Sequence, residues 1–164
     1  MMTKIFQLVL LLGLSSGLWM GADGKCTRKG GCCEACPNGW SEIDERCYLY
    51  RGKAKIWCEA ETQCNKEGGN LASFHNEKEL EVLHHFVEDV GKGVGVWVGG
   101  YDAVREGSWK FSDGSKNAFK AWAAELRNDP DIEDCMELKK GKVVDSQCDV
   151  KKPYVCSTHL RVQH

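Results

Sequence analysis

Ten cysteines, at positions 26, 32, 33, 36, 47, 58, 64, 135, 148 and 156, constrain this chain more than any other feature. In 164 residues that density is far above cytosolic usage and points to an oxidising compartment and a crosslinked fold. None of the ten precedes residue 26, and the segment before them reads as a secretory signal. Lys4 supplies a positive start, residues 5–14 are apolar, and Ala22-Asp23-Gly24 offers small residues for cleavage after Gly24. The apolar stretch is too short for a membrane span, which needs roughly 20 such residues. The expected organisation is a signal peptide over 1–24, a cysteine-rich arm over 25–35 and a single domain over 36–158. A mature chain of about 140 residues can bury roughly two-thirds of its extended surface, so the disulfides reinforce a core and do not replace one.

Charge narrows the partners. Lys and Arg number 22 against 24 Asp and Glu. This balance argues against a nucleic-acid partner and leaves no polybasic patch for an anionic membrane. No later window is apolar enough for membrane insertion, so the expected location is secreted and extracellular. No Asn-X-Ser/Thr acceptor occurs, and N-glycosylation is not expected.

Periodicity divides the domain in two. Ile56, Trp57, Ala60 and Cys64 recur at helical spacing, which predicts a helix over 54–67 stopped by Gly68-Gly69. A second helix is predicted over 76–90, capped by Asn76 with Glu79 reaching back. Its expected buried stripe is Leu80, Leu83, Phe86, Val87 and Val90. Around these, Gly39-Trp40 and Cys47-Tyr48-Leu49-Tyr50 suggest a hairpin. Val96-Trp97-Val98-Gly99-Gly100, Trp109-Lys110-Phe111, Cys135-Met136-Glu137-Leu138, Val143-Val144 and Tyr154-Val155-Cys156 read as short strands. Two early helices followed by antiparallel strands make an α+β class, with 112–134 a long ordered loop region where function tends to sit.

The order of these landmarks resembles the C-type lectin-like domain family. The matching residues run from Cys36-Pro37-Asn38-Gly39-Trp40 and Cys47-Tyr48 through Gly69-Asn70-Leu71-Ala72-Ser73 and Trp97-Val98-Gly99-Gly100. They continue with Ser112-Asp113-Gly114, Trp122, Glu133-Asp134-Cys135, Cys148 and Tyr154-Val155-Cys156. Within the family the chain resembles small secreted fish proteins, namely mucus and venom lectins and type II antifreeze proteins, and among them the lactose-binding lectin of eel skin mucus. The resemblance implies two helices packed on short antiparallel sheets with a long loop region. It also implies the pairs Cys36–Cys47, Cys64–Cys156 and Cys135–Cys148. Cys26, Cys32, Cys33 and Cys58 then remain. They either close two further bridges within the chain, or one or more of Cys26, Cys32 and Cys33 links two chains into a homodimer.

In calcium-dependent members the ion is held by a Glu-Pro-Asn or Gln-Pro-Asp tripeptide, a later Glu, and an Asn-Asp pair before the next-to-last cysteine. Here the tripeptide slot holds Leu126-Arg127-Asn128, and the pair before Cys148 is Val144-Asp145. Leu126 and Val144 carry no side-chain oxygen, whereas Ca²⁺ takes about six to eight. Sliding the alignment to Asn128-Asp129-Pro130-Asp131 restores loop carboxylates but leaves Val144 in place. The expectation is therefore no metal and no cofactor. The candidate sugar ligands are Glu125, Arg127, Asn128, Asp129, Glu133 and Asp145, within a polar loop that also holds Asp131 and Asp134. Their plain alternative is a solvated acidic loop. Trp109 or Trp122 would supply a ring face for the sugar, or else serve the core.

His84 and His85 are neighbours on a helix without an i, i+4 ligand partner, and are expected as solvated surface residues. No nucleophile elbow or paired catalytic acid is visible, so no enzyme is expected. The function implied is a calcium-independent, galactoside-class lectin that agglutinates microbes in surface or mucosal defence, its partner a carbohydrate on cell or bacterial surfaces. The competing readings are a venom-type or inhibitor module binding a protein, and an ice-binding protein of the type II antifreeze kind. The last is disfavoured by a charged loop and by only three Thr beyond residue 24.

Overall fold

The computed structural model describes residues 33–105, 107–116 and 134–163. The chain enters through β1 (Cys33–Ala35), β2 (Ser41–Ile43) and β3 (Arg46–Lys55), then forms α1 (Trp57–Lys66), β4 (Asn70–Leu71) and α2 (Glu77–Gly91). It continues with β5 (Val96–Tyr101), β6 (Lys110–Phe111), β7 (Cys135–Lys139), β8 (Lys142–Ser146), β9 (Lys152–His159) and β10 (Arg161–Gln163). The class is α+β, as the sequence predicts.

Helix α2 starts as its capping residues dictate. Asn76 is extended and accepts the Glu79 amide at 2.9 Å, while its own Nδ2 donates to Glu79 Oε1 at 2.7 Å. Glu79 Oε2 reaches further back and accepts the His75 amide at 2.9 Å, so one amide in the first turn and one before it are satisfied. Leu83, Phe86 and Val87 are buried and Leu80 packs against them. Val90 departs from the expected stripe and is 43% exposed. The last turn meets the sheet through Gly91, where a Cβ would stand 3.2 Å from the Tyr50 ring, and Val90 is left at the rim.

Helix α1 is shorter than its apolar spacing predicts. Strand β3 runs on through Lys55, and Ile56 is an extended N-cap outside the helix. Ala60 and Cys64, four residues apart, carry the buried face. His84 also differs from expectation. It is half-buried, 3.9 Å from Glu88, and a Cβ on Gly141 of the β7–β8 turn would meet its Nε2 at 3.1 Å. His85 is exposed and lies 3.7 Å from Glu81.

The main sheet has the order β2-β3-β9-β5-β7-β8, with β4 added to β9 and β6 to β5. Its pairings are antiparallel except β5 with β9, which is parallel at Trp97 and Tyr154. Strand β3 lies against β9 from Arg46↔His159 to Lys55↔Lys152, with an irregularity between Arg51 and Lys55. A separate two-stranded ladder joins β1 to β10, Cys33↔Gln163 to Ala35↔Arg161. It ties the end of the expected arm to residues beyond the expected domain.

Two clusters fill the interior. One packs α2 on the sheet through Tyr48, Phe74, Leu83, Phe86, Val98, Trp109, Phe111 and their neighbours. The other lies under α1 and gathers Leu49, Ala60, Leu71, Trp97 and Tyr154 around Cys64 and Cys156. Disulfides close Cys36–Cys47, Cys64–Cys156 and Cys135–Cys148, the pairs that the resemblance implies. By chain entropy the second, spanning 92 positions, contributes about 4–5 kcal/mol against about 3 for each short bridge. Cys58 is a free, exposed thiol on the first turn of α1.

One charged pair sits inside. Lys152 Nζ donates to Glu137 Oε2 at 2.6 Å and lies 4.9 Å from the centre of the Trp97 ring. Gly95 makes room for that carboxylate, since a Cβ there would fall 1.7 Å from Glu137 Oε1.

Candidate functional site

Of the expected sugar ligands, Asp145 is placed. It stands on β8 opposite Met136, half-buried on the outermost strand of the main sheet. Val143, two residues earlier, is buried and Val144 half-buried. Glu125, Arg127, Asn128, Asp129 and Glu133 lie outside the described residues, as do Trp122 and Leu126. Trp109 is 7% exposed and belongs to the α2 cluster, so its ring face serves the core and not a sugar.

At the root of the long loop, Asp102 follows β5. It is 2% exposed, its amide donates to the Asp134 carbonyl at 3.1 Å, and its Oδ2 accepts the Gly107 amide at 2.8 Å. Its Oδ1 is buried without a hydrogen-bond partner among the described residues. Burial pushes the Asp102 carboxyl above its usual range, the Gly107 amide draws it back, and the nearby charge of Asp134 adds to the rise. Sequence reasoning passed over Asp102, and its position directly after a buried strand was the available signal.

The family's calcium would be sought between this loop and β8, and of its slots the tripeptide Leu126-Arg127-Asn128 and the later Glu133 lie outside the described residues. At the Asn-Asp slot only Asp145 carries a side-chain oxygen. Among the described residues no group of three His, Cys, Asp or Glu is placed to hold a metal ion.

A second polar region lies where β3 begins and β9 ends. Arg46, 14% exposed, donates from Nη1 to the Ser73 carbonyl at 2.9 Å. Its Nη2 donates to Ser73 Oγ and Ser157 Oγ, each at 3.0 Å. Glu79 lies 3.7 Å away. Asp113, in the turn after β6, accepts from the Ser73 hydroxyl and from the Ser115 amide at 2.9 Å and the Ser115 hydroxyl. Burial alone would raise the Asp113 carboxyl, but those hydrogen bonds and the Arg46 charge outweigh it and hold it below its usual range. Gly114, with φ at +76°, lets the turn close in a conformation that side chains rarely adopt. The sequence motif Ser112-Asp113-Gly114 was visible, but its link to Arg46 is a tertiary product.

Comparison with known proteins places these features. The model of the lectin C-type domain matches residues 53–158. The galactose-specific lectin nattectin of Thalassophryne nattereri is 34% identical, over 97% of this chain and 100% of its own length. Lactose-binding lectin l-2 of Anguilla japonica is 41% identical over 77% of this chain and 80% of its own. A crystal structure of a calcium-independent type II antifreeze protein superposes with a TM-score of 0.68 at 26% identity, covering 79% of this chain and 98% of that one. Proteins of this kind are lectin-type carbohydrate binders and not enzymes. A domain match over most of the chain and a relative aligned end to end establish that this chain belongs to the C-type lectin domain family.

Proposed function

We propose that the protein is a secreted, calcium-independent lectin of the galactoside class that agglutinates microbes at a body surface. The observation that carries this reading is the end-to-end alignment with a galactose-specific lectin, combined with Val144 in a ligand slot that needs oxygen. Asp145 on the β8 edge and, in the sequence before β7, Glu125, Arg127, Asn128, Asp129 and Glu133 are the proposed sugar contacts, bonding hydroxyls directly. No described helix is long and apolar enough to cross a membrane, in keeping with an extracellular protein.

Agglutination needs at least two sites held together. The proposed link is a disulfide between chains through Cys26, Cys32 or Cys33, which would raise apparent affinity through effective concentration. Retention on lactose-agarose tests the sugar reading. Binding should be equal with EDTA and with added Ca²⁺, and Asp145→Ala should weaken it while leaving the thermal midpoint near that of the parent. Binding that vanishes in EDTA and returns with Ca²⁺ would overturn calcium independence. Non-reducing electrophoresis should show twice the mature mass, collapsing on reduction; a monomer band alone would remove the covalent dimer.

The likeness to an antifreeze structure supports ice binding as a second reading. Thermal hysteresis at millimolar protein would establish it in place of the first.

A further inference from the structure

Arg46 divides a surface trough into two lobes, of about 570 and 370 Å³, and His159 lines both. Each lobe falls in the range of roughly 300–1,000 Å³ typical of small-ligand pockets. We infer that this trough is a second carbohydrate subsite, taking a neutral oligosaccharide through hydrogen bonds alone. It goes beyond the galactoside reading, because no residue in it belongs to the proposed loop site.

The chemistry selects the ligand. The larger lobe is lined by the hydroxyls of Ser115 and Thr158, the Asp113 carboxylate, the His159 imidazole, and Asn65 and Asn70, whose Nδ2 groups are already held by Glu61 and, for Asn65, also by the Gly69 carbonyl. The lining thus holds both donors and acceptors. Vicinal sugar hydroxyls, each able to donate and accept, match such a surface. The trough repels anions: Asp44, Glu45, Glu79 and Asp113 give four carboxylates against the two cations Arg46 and Lys78. Asp44 and Lys78 are already paired at 2.9 Å and Arg46 faces Glu79, which leaves Glu45 and Asp113 in excess and disfavours an anion. An apolar ligand finds only Tyr48 and Val82 in the smaller lobe.

The surface is also held in advance. Arg46 and Asp113 are locked through Ser73, Ser157 and Ser115, and these groups sit on paired strand ends and a closed turn. The freezing of those side chains is met by folding, not by binding. Arg46 Nε is itself buried beneath this surface, without a hydrogen-bond partner among the described residues, so it is the Nη atoms and their serine partners that shape the lobe.

The trough is remote from Asp145. In the sheet order β8 lies four strands from β3 and three from β9, which at about 4.8 Å per strand is roughly 14–19 Å of lateral separation. One domain would then hold two sugars at once.

The test is an amide NMR titration of the full mature chain in EDTA, with lactose, maltotriose and triacetylchitotriose as probes. At least one probe should shift the Asn70, Ser115 and Thr158 amides saturably, with the same titration in Asp145→Ala. His159→Ala removes an exposed ring without touching the core, and Asp113→Asn removes the charged acceptor. Each should weaken the trough titration several-fold, with Asp113→Asn near tenfold. No trough shift with any probe overturns the inference, as does unchanged affinity in both variants. Shifts at Asp145 alone would overturn the trough and leave the galactoside reading standing.

Discussion

The two halves of the core are held by different means. Under α1 the interior is built around Cys64–Cys156 and Cys135–Cys148, and the helix itself buries only Ala60 and Cys64. Under α2 there is no disulfide among the described residues, and the helix contributes Leu83, Phe86 and Val87 to a cluster rich in aromatic rings. The Tyr48–Phe86 rings stand 5.7 Å apart and the Phe74–Phe111 rings 5.3 Å apart. A ten-residue helix with a thin apolar face is anchored by a covalent bond, whereas a fifteen-residue helix with a full stripe needs none. Crosslinks here are spent where side-chain volume is scarce.

The sharpest way to break this contrast is to remove the long crosslink. Replacing Cys64 and Cys156 by Ser together should cost about 4–5 kcal/mol in chemical denaturation, with the α1 amides losing exchange protection before those of α2. Uniform loss of protection across both helices would show a single cooperative core. Next in size is Leu83→Ala, which opens a cavity at a fully buried site and should cost about 3 kcal/mol. Val90→Ala, two turns later but at the exposed rim, should stay within about 0.5 kcal/mol; an equal cost for both would return Val90 to the core.

The smallest effect is electrostatic. Burial raises the Glu79 carboxyl, but the His75 side chain and amide, with the charges of His75 and Arg46, outweigh it and bring it below 4.5. Because the folded value lies below the unfolded one, the folded state binds fewer protons in that range. The contribution is therefore complete above the unfolded value and is lost as pH falls through the folded one. Glu79→Gln should flatten the fall in thermal midpoint below about pH 4.5 and change its slope little at neutral pH. An unchanged acid limb would remove Glu79 from that balance.

The helices and main strands were legible because their signals are local. Asn76 and Glu79 mark a helix start within four residues, and Val96-Trp97-Val98 is a β-branched and aromatic run bounded by glycines, which favours a short buried strand. The second half of β3 was not legible, because Gly52, Lys53 and Ala54 are exposed and show no alternation. Pairing with β9 across an irregularity carries them into the sheet. Strands β4 and β10, of two and three residues, exist only through their partners. The trough was hidden for the same reason: Arg46 meets Ser73 from 27 positions away and Ser157 from 111. The Asp145 position was readable from its distance to Cys148.

The ladder of β1 on β10 has a mechanical meaning. Its strands run antiparallel with Cys33 opposite Gln163, so the two chain ends leave from the same side. A tug between them loads one cross-strand pair at a time, the geometry of a zipper opened from its slider. The peel stops almost at once, since Cys36 is bonded to Cys47 and Cys156 to Cys64 just behind the ladder. Shear on a tethered chain would thus lengthen it by a few residues and then meet a covalent stop, with the sheet behind it still folded.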